Sequence, residues 1–228
     1  MSCQGATCWA VAYGGLALGC SFGTFQTGHT QPPGTVSAVT GGAYVSNRSD
    51  DEQGRDISTN LGAQLGARVG ISQRVDVGLG TFMGYGLQTD VKVNLLDPQA
   101  KLALSPRLGA GYRHHRREIG MLEGGAIMSY RLPPHFEPYL GLTFANHWIG
   151  DDSAPPEWPL PPNVVGRKGT GDGLLKLSVG IELLGARHFA VLLEYDHWFP
   201  INDDPGDFYR FLPTNIFGVA FRFGRVLP

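Results

Sequence analysis

The sequence predicts an all-β chain closed as a ten-stranded antiparallel up-and-down transmembrane β-barrel. Three observations carry that prediction. Side-chain polarity alternates with a period of two along segments of about ten residues. Glycine is abundant, 33 of 228 residues, about twice the usual share. Charged residues make up only 17% of the chain, against about 25% in an ordinary soluble domain. After residue 20 no apolar run approaches the roughly 18 residues of a spanning helix, so a multi-pass helical membrane protein is excluded. The net charge of −2 lacks the basic excess of a nucleic-acid binder, and no nucleic-acid partner is expected.

Taken in chain order, residues 1–19 read as a signal peptide. All three cysteines, Cys3, Cys8 and Cys20, lie in this region, and no charged residue precedes Arg48. The stretch 8–19, CWAVAYGGLALG, is apolar, of leader length and too short to span a bilayer. Leu16-Ala17-Leu18-Gly19-Cys20 resembles a bacterial lipoprotein signal, which implies lipidation of Cys20. Ordinary cleavage after Ala17-Leu18-Gly19 fits the small-x-small rule equally. Residues 20–33 are expected as a periplasmic lead-in, 34–224 as the barrel and 225–228 as a tail.

Ten strands are expected, at about 34–45, 59–71, 74–83, 86–96, 101–113, 118–132, 136–147, 172–184, 188–198 and 214–224. The second sets Leu61, Ala63, Leu65, Ala67 and Val69 against Gly62, Gln64, Gly66, Arg68 and Gly70. The third opposes Val75, Val77 and Leu79 to Asp76, Gly78 and Gly80, and the fourth opposes Leu87, Val91 and Val93 to Gln88, Asp90 and Lys92. The eighth sets Leu175, Leu177, Val179, Ile181 and Leu183 against Lys176, Ser178, Gly180 and Glu182. Such lengths suit a tilted strand crossing a bilayer, about 9–11 residues. The apolar face then looks out to lipid and the polar face into the lumen.

The links agree. Those around Ser72-Gln73, Asp97-Pro98-Gln99, Pro133-Pro134-His135 and Gly185-Ala186-Arg187 are short, whereas 46–58, 148–171 and 199–213 are long and fall at the opposite end. Short turns at one end and long loops at the other belong to outer-membrane barrels. An even strand number brings both termini to the short-turn side. Aromatic residues gather near strand ends as two expected girdles: Tyr44, Tyr85, Tyr112, Trp148 and Trp198 toward the long loops, and Tyr130, Phe136, Phe189, Phe221 and Phe223 toward the turns.

Two segments carry a family resemblance. Phe217-Gly-Val-Ala-Phe-Arg-Phe223 resembles the C-terminal signal strand of outer-membrane β-barrels, although GRVLP follows it. Residues 20–34 are similar to the leader-proximal segment of outer-membrane barrel lipoproteins, with Gln-Thr-x-x-Thr ahead of a Gly that opens the first strand. The resemblance implies the bacterial outer membrane, with both termini periplasmic, and implies no substrate.

The expected inward face carries Arg68, Lys92, Arg107, Arg113, Arg131, Lys176 and Arg222 with Asp76, Asp90, Glu123, Glu182, Glu194 and Asp196. Buried charges persist when paired, so the near balance reads as an ion-pair network that plugs the lumen. Phe82, Tyr139, Leu174 and Leu192 also point inward. No catalytic constellation emerges. The omptin proteases, also ten-stranded, use Asp and His at the outer rim, but Asp196 and His197 are adjacent and face opposite sides of a strand. His114-His115 beside two Arg reads as a solvated link, and no metal or cofactor is expected. The sequence reading is an outer-membrane barrel with a structural or surface-interaction role, the alternatives being a small-solute pore and, further off, an outer-membrane hydrolase. Its expected partners are outer-membrane lipid and an extracellular partner met through 46–58, 148–171 and 199–213, with Trp158 in the proline-rich link as the recognition residue.

Overall fold

The computed structural model describes residues 25–49, 56–82, 86–115, 117–133, 135–149, 172–186, 188–201 and 214–224. The ten expected strands form: β1 (Val36–Ser49), β2 (Asp56–Gly70), β3 (Val75–Phe82), β4 (Gly86–Val93), β5 (Leu102–His115), β6 (Arg117–Tyr130), β7 (Phe136–Ile149), β8 (Asp172–Ala186), β9 (Phe189–Pro200) and β10 (Thr214–Gly224). Each pairs antiparallel with its sequence neighbours, and β1 pairs with β10, from Ser37↔Gly224 to Asn47↔Thr214. The sheet therefore closes and has no edge. The start of β1 and the end of β10 share the short-turn end.

Several strands run farther toward the long links than expected. β1 and β2 stay paired up to Ser49↔Asp56, so the expected 46–58 loop contracts to 50–55. β5 and β6 pair up to His115↔Arg117, which draws His114, His115 and Arg117 into the wall. Antiparallel pairing continues as long as backbone partners are available, even where side-chain alternation has faded. β3 and β4 are shorter, eight residues each. Beyond the end of β4, Asn94 and Leu95 still bond Arg74 O and Leu104 O. The leader 1–19, Cys20, Trp158 and the tail 225–228 lie outside the described residues.

Side-chain direction follows the pleat. Leu65 and Leu108 stand 59% and 72% exposed on the outside, while Asp76 and Glu182, at 0%, are sealed within. That inversion of the usual soluble pattern is how a barrel sits in lipid. Tyr44, Tyr112, Tyr130, Phe221 and Phe223 are exposed on the outer wall, and Phe189 stacks on Phe221 and tilts against Phe223 at 6.1 and 5.5 Å. One girdle residue is corrected. Trp198 is buried and faces the lumen, because it shares the parity of Glu194 and Asp196 on β9, and parity outranks nearness to a strand end.

The segment before β1 also departs from expectation. Phe25, Gln26, Thr27, His29 and Gln31 are all buried, so residues 25–31 form a strap inside the barrel rather than a lead-in beneath it. The strap reaches β1 through a turn at Pro32-Pro33-Gly34-Thr35, in which Thr35 N bonds Pro32 O at 3.1 Å and Gly34 has φ 71°. Proline followed by a positive-φ glycine is the type II pairing.

Candidate functional site

The chemistry of this chain is concentrated in the lumen. Side chains from β1, β3, β4, β5, β6, β7, β9 and β10 meet the strap there, and the strap's irregular backbone needs partners because it has no ladder of its own. Lys92 on β4 points its ammonium at the carbonyls of Thr27 and His29, at 2.8 and 2.9 Å, and lies 3.4 Å from Asp76. Asp76 in turn accepts from Gln31 N at 3.0 Å. Ser105 Oγ donates to Gly28 O at 2.5 Å, and Gly28 N donates to Ser129 Oγ at 3.0 Å. On the opposite wall Phe25 N donates to Glu194 Oε2 at 2.8 Å, and the same oxygen accepts from Tyr139 Oη at 2.7 Å.

The β2–β6 wall carries a continuous chain of ion pairs. Arg68 forks onto Asp76 Oδ1, with Nε at 3.0 Å and Nη2 at 2.5 Å. It also forks onto Asp90, with Nη1–Oδ1 at 3.1 Å and Nη2–Oδ2 at 2.8 Å. Asp90 continues to Arg107 Nε at 3.4 Å. Arg107 pairs with Glu123, which also accepts from Gln88 Nε2 at 2.7 Å. Planar guanidinium groups bridging carboxylates in this way satisfy several donors at once, which the burial of these charges demands.

A second knot sits at the turn end. Glu137 Oε1 lies 2.7 Å from His29 Nδ1 and accepts from Ser129 Oγ at 2.7 Å, while Arg131 Nε reaches Glu137 Oε2 at 3.4 Å. The other ring nitrogen, His29 Nε2, faces Ala100 O at 3.1 Å.

Of the expected lumen residues, Arg68, Asp76, Asp90, Lys92, Arg107, Glu123, Lys176, Glu182, Glu194, Asp196 and Arg222 are buried in the lumen. Arg222 pairs with Glu182, and Lys176 Nζ lies 5.4 Å from the Trp198 ring centroid. Arg131 stands at the rim, 30% exposed. The Arg113 and Phe82 side chains lie outside those described, whereas Tyr139, Leu174 and Leu192 are buried. Sequence reasoning missed Glu137 and the strap. Glu137 shares the parity of Tyr139, which was read as inward, so the signal was present; residues 25–31 follow no period that could have announced them.

Asp196 is buried, whereas His197 lies on the opposite face, with Nδ1 2.7 Å from Asn215 Oδ1. Among the described residues no group of His, Cys, Asp and Glu could hold a metal ion.

The apolar outer wall, the closed sheet and the charged lumen define the class: a membrane-spanning β-barrel. No protein-family model matches the sequence, and no curated protein matches it either. Solved structures to which it is similar include bacterial outer-membrane β-barrels. The N-terminal β-barrel domain of Pseudomonas aeruginosa OprF is 11% identical, with 85% of this chain and 99% of that one covered and a TM-score of 0.39. Ail, the attachment invasion locus protein of Yersinia pestis, is 10% identical over 84% and 99%, with a TM-score of 0.36. The outer-membrane protease OmpT of Escherichia coli is 9% identical over 87% and 100%, with a TM-score of 0.41.

Proposed function

We propose that this chain is a bacterial outer-membrane barrel that does not conduct and acts at the cell surface through its long links, with Trp158 in the link 148–171 as the contact residue. One observation carries the reading: the strap is held inside the lumen from two opposite walls, by Lys92 and by Glu194. An open pore keeps a continuous polar path; here its cross-section is shared among a peptide, an ion-pair chain and the apolar contact of Phe25, Val39, Leu192 and Ala220. In the same reading Cys20 carries the lipid, and both termini and the short turns face the periplasm.

Planar-bilayer recording tests the closed lumen. The full chain is expected to give no conductance steps, and a variant lacking residues 25–31 to give them. Steady conductance from the intact chain refutes the reading. Protease added to whole cells tests sidedness: cleavage at Arg167-Lys168 is expected, whereas cleavage at Arg187 inverts the assignment.

A further inference from the structure

A cavity of about 50 Å³ interrupts the lumen filling, between the start of the strap and the wall formed by β2, β3 and β4. It exists because Gly66 and Gly80, paired across β2 and β3 on the lumen face, place no side chain there. A Cβ on Gly80 would come no nearer than 3.3 Å to any other atom, the carbonyl of Leu65. Gln64, Gly80 and Gln88 lie toward the long links from Arg68, Gly78 and Asp90, so the cavity occupies the outer side of the ion-pair chain. At about 10–15 Å³ per water, it holds a handful of non-hydrogen atoms.

Its polar lining is incompletely satisfied. Arg107 and Gln26 are buried, yet Arg107 Nη1 and Gln26 Oε1 find no hydrogen-bond partner among the described residues, and neither does Gln64 Oε1. Orphaned polar atoms at a cavity mark a place where a polar group is missing. Each charge that lines it is already paired: Arg68 with Asp76 and Asp90, and Arg107 with Asp90 and Glu123. A charged guest would enter unpaired and meet the desolvation cost of a buried ion. A hydroxyl suits both needs, because it accepts from a guanidinium and donates to an amide oxygen. Phe25 and Val39 complete the lining with apolar surface, the complement of the C–H face of a sugar or polyol.

We propose that this cavity binds the end of an uncharged hydroxylated ligand, a sugar or polyol group entering from the long-link side. The site extends the surface-interaction reading by naming a ligand class, and rests on that reading only for the side of approach.

The test uses the refolded full chain in micelles of a detergent without sugar groups, probed by saturation-transfer NMR. Glucose and myo-inositol are expected to bind, and glucuronate and glucosamine to bind about tenfold more weakly. Gln64→Leu is expected to weaken glucose about tenfold, the value of one hydrogen bond to a buried polar group. Gly80→Ala, which narrows the cavity, gives a second reading should Gln64→Leu not refold. A glycosyl diglyceride mixed into the micelles distinguishes the source. Glycolipid binding competed by glucose places the sugar on a membrane lipid, and glucose binding alone places it in solution; both support the site. Absence of binding by glucose and inositol, equal or tighter binding of glucuronate, or glucose affinity unchanged in the refolded variants overturns it. The conductance experiment is independent: a silent barrel that binds no sugar loses this site and keeps its closed lumen.

Discussion

Between β2 and β6 the lumen is crossed by arginines that each bridge two carboxylates, Arg68 between Asp76 and Asp90, and Arg107 between Asp90 and Glu123. Between β7 and β10 four carboxylates, Glu137, Glu182, Glu194 and Asp196, share the space with Lys176, Arg222, Tyr139, Trp198 and the apolar Leu192 and Ala220. The two halves grip the strap through different charged groups. From the first, Lys92 takes the carbonyls of Thr27 and His29; from the second, Glu194 takes the N–H of Phe25. An irregular segment inside a barrel needs both kinds of partner, because each of its residues brings a donor and an acceptor out of water. The ion-pair half contributes the cation and, at Gln31, the carboxylate of Asp76, and the acid-rich half contributes the carboxylate that holds Phe25 N together with an apolar bed for the Phe25 ring.

The largest effect is expected from removing the cation. Lys92→Met keeps most of the side-chain length but leaves two strap carbonyls and part of Asp76 without their partner. Stranding a buried charge in this way costs about 3–5 kcal/mol. Urea titration of the protein refolded into lipid vesicles measures it, and a loss below 1 kcal/mol would mean that the strap is not held from this half.

The wall of the other half gives the next effect. Val179 is exposed on β8 and pairs with Leu140, so Val179→Arg places a charge against lipid near mid-strand, at a cost of about 2–4 kcal/mol. The same titration reads it. An unchanged midpoint would undo the assignment of inner and outer faces in the β7–β10 half.

A matched pair of glycine substitutions then compares the halves directly. A Cβ on Gly218 of β10 would overlap the Phe25 ring, whereas one on Gly80 of β3 meets only the edge of the cavity. Gly218→Ala is therefore expected to cost about 1–3 kcal/mol through overpacking, and Gly80→Ala well under 1 kcal/mol. Equal costs would show that the Phe25 ring does not rest on β10.

The strands and their faces were legible because alternation is a local property: Arg68, Asp76, Lys92 and Glu182 betray their direction through their immediate neighbours. Glu137 is legible by the same rule, two residues from Tyr139 and on the same face of β7. Trp198 leaves the expected girdle because its parity with Glu194 and Asp196 turns it into the lumen despite its place near a strand end. The strap was not legible at all. Gln26, Thr27, His29 and Gln31 are buried by what surrounds them, namely carbonyls and N–H groups matched to Lys92, Glu194, Asp76 and Ser129. Those partners lie 45 to 169 residues away in sequence. Such complementarity is a product of closure, and no window of sequence contains it.

The smallest expected loss of a polar partner tests whether the ion-pair half owes its strength to charge or to the neutral groups around it. Gln88 donates to Glu123 at 2.7 Å, but the bond is only part-buried, and the same carboxylate oxygen is held by Arg107. Gln88→Met removes the donor while keeping the length and most of the volume. Glu123 retains its guanidinium, and the bond's partial exposure lets water approach the vacated side. Neither condition for a stranded buried charge is then met, and the loss should approach that of an ordinary hydrogen bond, about 0.5–1.5 kcal/mol. The informative comparison is with Lys92→Met on the same vesicles. If Gln88→Met costs as much as Lys92→Met, the amide is part of an inseparable network and the arginine bridges do not by themselves hold Glu123. If it costs a third or less, the β2–β6 half is a lattice of cations and carboxylates that tolerates loss of its neutral neighbours, and the strap hangs on Lys92 within it.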